Sequence, residues 1–72
     1  MEEVKLGKYW HYKGREIIVT GIVKHSETLE ELVLYKHTDE AKPVLWVRPK
    51  EMFLETVEHE GRVIKRFEYI GS

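Results

Sequence analysis

The sequence predicts a mostly β fold: a small SH3-like antiparallel barrel of five or six strands with one short helical turn. Three observations carry that expectation. β-Branched and aromatic residues cluster in short runs, the pattern of strands. No window of helical length repeats apolar residues at i, i+3, i+4 and i+7 between a start and a stop signal. Gly and Pro punctuate the runs at short intervals, as turns require. An oligonucleotide-binding barrel fits less well. That fold usually carries a helix between its third and fourth strands, and only the Thr38–Pro43 connection is available there.

The first run is Lys8–Tyr12, closed by the turn signal Lys13-Gly14. The second, Arg15–Lys24, has apolar residues on both parities, so both faces are expected to be partly buried. Gly21 inside it marks a bulge or bend, which would let one strand serve two sheets. His25–Glu31 reads as a loop with at most one helical turn, although Thr28 and Glu31 have capping-box spacing. The third and fourth runs are Leu32–His37 and Val44–Arg48, joined by a polar connection expected to be mobile.

Arg48–Phe53 predicts a single helical turn with Pro49 at its first position. Leu54–Glu58 and Arg62–Ile70 should then pair as a hairpin across Glu60-Gly61, an analogue of the Asp-Gly turn. In the last strand Val63, Lys65, Phe67 and Tyr69 share one face. A lysine amid apolar neighbours guards a sheet edge, so this strand is expected at an edge. Residues 1–6 and 71–72 have no evident partner and should fray around a single domain, 7–70.

Composition narrows the class. The chain has 72 residues, 12 Lys+Arg against 13 Asp+Glu, and no cysteine. There is room for one domain, and no disulfide framework, thiolate metal site or Cys nucleophile. No run approaches the roughly 18 apolar residues of a membrane span, and no signal peptide is evident, so the expected location is the cytoplasm. Near-zero net charge argues against coating nucleic acid by bulk electrostatics. A domain this small buries little surface, so its eight aromatics are expected mostly in the core. Weak homodimerisation is another way to bury surface, and monomer and weak homodimer both stay open.

The residues that could carry chemistry are few. The four histidines, His11, His25, His37 and His59, show no metal-ligand spacing, and no metal or other cofactor is expected. His25-Ser26 adjacency is a poor nucleophile–base arrangement, and Ser26, Glu27 and Thr28 are better read as shaping their loop. There is no nucleophile elbow, phosphate loop or dinucleotide fingerprint. Basic residues interleave with aromatics in Lys8–Lys13, and Trp46 lies near Arg48, an arrangement that can hold single strands. Acidic pairs elsewhere would repel a phosphate backbone. Arg48 ends an apolar strand before Pro49, and its planar fork can hold a carboxylate bidentately. The partner could be internal, with Glu27 pinning the loop to the barrel, or a ligand carboxylate or phosphate.

Gly7-x-Tyr9-x-His11-Tyr12-Lys13-Gly14, His25-Ser26-Glu27-Thr28, Trp46-Val47-Arg48-Pro49, Met52-Phe53 and Arg66-Phe67 closely resemble the bacterial family called domain of unknown function 1653. The resemblance runs from about Gly7 to Ile70, with departures at Trp10, where a basic residue is common, and in the Thr38–Pro43 loop. It implies a compact, mostly β bacterial domain and no established activity. Its polar signature positions include His11, His25, Ser26, Glu27, Thr28 and Arg48. Tyr12, His25, Glu27, Trp46 and Arg48 are expected to converge on one shallow groove, since strand ends and the loops beside them are where small barrels bind ligands. The first functional reading is a non-enzymatic module that binds a peptide or partner protein through this aromatic and Arg-lined groove. The second is a single-stranded nucleic-acid-binding accessory domain, and the third a small-molecule sensor or enzyme.

Overall fold

In a computed structural model, residues 4–42 and 44–71 are described. Their elements are β1 (Gly7–His11), β2 (Arg15–Lys24), β3 (Glu31–His37), β4 (Trp46–Pro49), α1 (Lys50–Phe53), β5 (Thr56–His59), β6 (Arg62–Lys65) and β7 (Phe67–Gly71). The fold is mostly β and antiparallel, as expected, with seven strands among the described residues rather than five or six. A five-stranded sheet has the order β4-β3-β2-β1-β7, and β5 and β6 form a separate pair. The two edges of the large sheet, β4 and β7, are not hydrogen-bonded to each other. The sheet nevertheless curls far enough to set the Arg48 guanidinium of one edge 5.7 Å from the Phe67 ring of the other.

β1 and β2 join through Tyr12-Lys13-Gly14, where Gly14 takes φ +94° and the Gly14 N–H donates to the His11 carbonyl. Three-residue loops with a left-handed glycine suit such hairpins. The β2–β3 register shifts between Val19 and Gly21, the expected bulge. Glycine is not what permits it. Gly21 has no positive φ, and an added Cβ would meet nothing within 4 Å.

The inner face of the sheet carries every second residue of its strands. Tyr9 pairs Ile17, Val19 pairs Tyr35 and Tyr9 pairs Tyr69, so these side chains stand together. The buried core is Tyr9, Ile17, Val19, Val33, Tyr35, Phe53 and Phe67. α1 delivers Phe53 as the lid on this core. Its ring stacks on Phe67 (4.3 Å, 3° between planes) and meets Tyr9 edge-on at 5.1 Å. Four of the eight rings are therefore buried. Trp10, Trp46 and Tyr69 are exposed and Tyr12 is half-buried, so the core uses fewer aromatics than the sequence suggested.

Several boundaries differ from expectation. Pro49 ends β4 and caps α1 from outside, because its ψ of 137° is extended and cannot belong to the helix. The long final run is not one strand. The chain breaks at Arg66, whose N–H donates to the Glu55 carbonyl while its own carbonyl accepts from the Tyr12 N–H. That junction sends β6 to β5 and β7 to β1, so Lys65 lies on the small hairpin and Phe67 in the core. Val4 and Lys5 have partners, whereas Leu6 is exposed. The Lys5 N–H and carbonyl both bond the Tyr9 hydroxyl at 2.9 Å, and Val4 packs on the core. At the other end Gly71 pairs with Lys8 in β7, while Ser72 and residues 1–3 lie outside the described residues. No helix among the described residues is long and apolar enough to cross a membrane.

Candidate functional site: a cationic pocket on the uncovered half of the sheet

Phe53 covers only part of the inner face. On the rest, polar residues occupy positions in phase with the core: His11 follows Tyr9, Arg15 precedes Ile17, His37 follows Tyr35, and Arg48 follows Trp46. The register brings them together. His11 pairs Arg15, Ile17 pairs His37, and Tyr35 pairs Trp46. The result is an open cavity of about 380 Å³ lined by His11, Lys13, Arg15, Tyr35, His37, Trp46, Arg48 and Phe67.

Its chemistry is one-sided. Three fixed cations and two imidazoles line it, and no carboxylate does. Arg15 is held from outside by exposed Asp39 (3.2 Å) and half-buried Glu40 (3.7 Å), surface contacts worth little in stability. Arg48 has no ion-pair partner among the described residues. Its guanidinium lies over Phe67, and its buried Nε makes no hydrogen bond. The Nδ1 of His37 is also buried and unpartnered, with its ring edge-on to Tyr35 and Trp46. Unsatisfied buried polar atoms cost free energy, so both are places where a ligand could add bonds.

His11 is held differently. Its Nδ1 accepts the Lys13 N–H at 3.1 Å, which leaves Nε2 to carry the proton of the neutral ring. Burial, then the charges of Arg66, Arg48 and Lys13 and nearby His37, push its pKa below the ordinary 6.5. His37, Asp39 and Glu40 bring possible ligand atoms within 4.8 Å of one another, but Arg15 already occupies both carboxylates.

The five residues expected to converge do not all meet. Trp46 and Arg48 line the pocket. Tyr12 sits behind it, its ring 4.8 Å from His11 and 5.5 Å from His59 on β5. His25 and Glu27 lie in the exposed β2–β3 loop, seven residues along the ladder from the Ile17–His37 pair, about 20 Å at strand rise. The internal anchor between Arg48 and Glu27 is absent, because Arg48 projects across the inner face toward Phe67. The loop closes on itself instead. His25 Nδ1 accepts from the N–H groups of Glu27 (3.1 Å) and Thr28 (3.4 Å), Thr28 Oγ1 accepts from Glu30, and Leu29 takes φ +63°. His11, Lys13, Arg15 and His37 line the pocket without having been expected in the groove. The available signal was phase: a polar side chain one alternation beyond a core residue, repeated at adjacent strand ends.

An open, curled antiparallel sheet with a cationic, aromatic pocket is thus the class of domain that the structure defines. The sequence profile of a family described as "protein of unknown function (DUF1653)" matches residues 7–69, and the chain belongs to that family. A crystal structure of a protein of the same family from Bordetella bronchiseptica is similar to it, with a TM-score of 0.88 at 29% identity over 99% of this chain and 92% of that one. No curated protein matches the chain.

Proposed function

We propose that the protein is a binding module whose pocket captures an anionic group, a carboxylate or phosphate, on a ligand or partner protein. The observation that carries this reading is the cavity of three cations and two imidazoles with no lining carboxylate, in a chain whose net charge is only −1. Arg48 is the principal contact, since its fork has no internal acid to satisfy it. Trp46, Tyr35 and Phe67 offer apolar flanks to the body that bears the anion. The curled sheet closed off by one helical turn supports an SH3-like reading of the architecture. Such scaffolds commonly serve as recognition modules, which is an argument by analogy of fold. His25 and Glu27 have no part in this binding and serve their loop.

Titration with glutarate and with inorganic phosphate at low salt, followed by NMR, tests the reading. Resonances of His11, His37, Trp46 and the Arg48 Nε–H should move together and saturate. Arg48→Gln should abolish the response in a protein whose spectrum remains folded. Absence of any saturable shift with both anions would remove the proposal. A saturable shift with oligothymidylate at lower concentration than with either small anion would favour the nucleic-acid reading.

A further inference from the structure

β4 is unlike the other edge of the sheet. β7 carries Glu68 on its exposed positions and meets β1 through a register shift beside Gly71, devices that blunt an edge. On β4 the charge is Arg48, which turns to the inner face, and Pro49 stands at its very end. The run Val44, Leu45, Trp46 and Val47, which leads into and begins the strand, is uncharged and about half-exposed (47–58%). β4 bonds β3 on one side, and its other side pairs with no strand among the described residues. Pro49 is tolerated at its end because edge strands can do without one ladder donor. An edge whose charge turns to the inner face, leaving its outward positions apolar, is a template for another strand.

The pocket opens against this edge. Trp46 and Arg48 belong to both: they are alternate residues of β4 and lining residues of the cavity. A strand added outside β4 would present every second side chain to the same inner face, within about 4.5–5.5 Å of its cross-strand neighbour. Any such side chain beside Arg48 enters a space lined by three cations and no carboxylate. We infer that β4 is the docking edge for an extended segment of a partner protein, and that an acidic side chain of that segment fills the pocket against Arg48. The inference rests on the anion-binding reading and specifies its partner. The backbone ladder supplies register and the pocket supplies selection for the acid. Val44, Leu45 and Val47 cover the apolar residues of the added strand.

The test uses an acetylated, amidated heptapeptide of alternating threonine and valine with one central glutamate. Its controls are the central-glutamine version and a version N-methylated at alternate backbone positions. The glutamate peptide should shift Trp46–Arg48 amides and the pocket imidazoles. Both controls should bind at least about tenfold more weakly, one for want of the charge and the other for want of the ladder. Val47→Lys should weaken the peptide while leaving glutarate binding unchanged. If glutarate binds but the peptide moves nothing, or glutamine serves as well as glutamate, the strand-docking inference fails and the anion pocket stands. If neither binds, both fail. Concentration-dependent dimerisation that shifts β4 without peptide would also overturn it, since a second copy would then own the edge.

Discussion

At the scale of single residues, two side chains have consequences out of proportion to their number. Phe53 is 2% exposed and is the only helix residue in the core. Phe53→Ala should cost about 3–5 kcal/mol, most of the margin of a domain this size. Its thermal transition should drop sharply or vanish, and its amide spectrum should collapse. His11 links the pocket to pH. Its folded pKa is lowered, first by burial and then by neighbouring cations. The unfolded chain therefore takes up the proton more readily. The stability His11 contributes is full above about pH 6.5 and is lost as pH falls through its lowered folded value. The melting temperature should decline on acidification below 6.5, and His11→Gln should flatten that slope. An anion in the pocket offsets the neighbouring cations, so glutarate affinity should rise over the same range and lose part of this pH dependence in the same variant.

At the scale of elements, turns and bulges separate what glycine is needed for from where it merely occurs. Glu60 (φ +53°) and Gly61 (φ +77°) join β5 to β6 with both central residues left-handed, the two-residue turn that favours Asn-Gly. Glu60→Asn should raise the melting temperature. Gly14→Ala should lower it, because φ +94° strains any side chain. Gly21→Ala should be neutral or gain up to about 1 kcal/mol, since its backbone is ordinary and its surroundings are empty. These elements also measure how much was legible beforehand. β2 was readable to the residue, because apolar runs and flanking turn signals agree there. The break at Arg66 was not. Arg62–Ile70 alternates well enough for one strand, and only the tertiary bonds to Glu55 and Tyr12 divide it. The site was half legible. Arg48 and Trp46 stand out locally, whereas Arg15 and His37 acquire meaning only from the register that sets them side by side.

At the scale of the molecule, stability should be graded. β2 is the central strand of the large sheet and is paired on both sides, with the fully buried Ile17 in the same core cluster as Phe53 and Phe67. The β5–β6 pair is a lone hairpin, a unit that is marginal by itself. Native-state hydrogen exchange should find the slowest amides in β2 and β3 and much faster ones in Val57–Ile64. Uniform protection across both would show that the hairpin unfolds with the sheet as one cooperative unit.

The junction at Arg66 gives the molecule something practical. It ties the hairpin to the sheet at its base through Glu55 and Tyr12, while the Glu60-Gly61 tip is exposed. Exposed tips of this kind accept inserted sequence. A reporter peptide or fluorophore grafted between Glu60 and Gly61 would ride on the hairpin, with the His59–Tyr12–His11 ring contacts leading from beside its tip to the cavity. The hairpin is thus a ready-made handle, wired to the pocket it would report on.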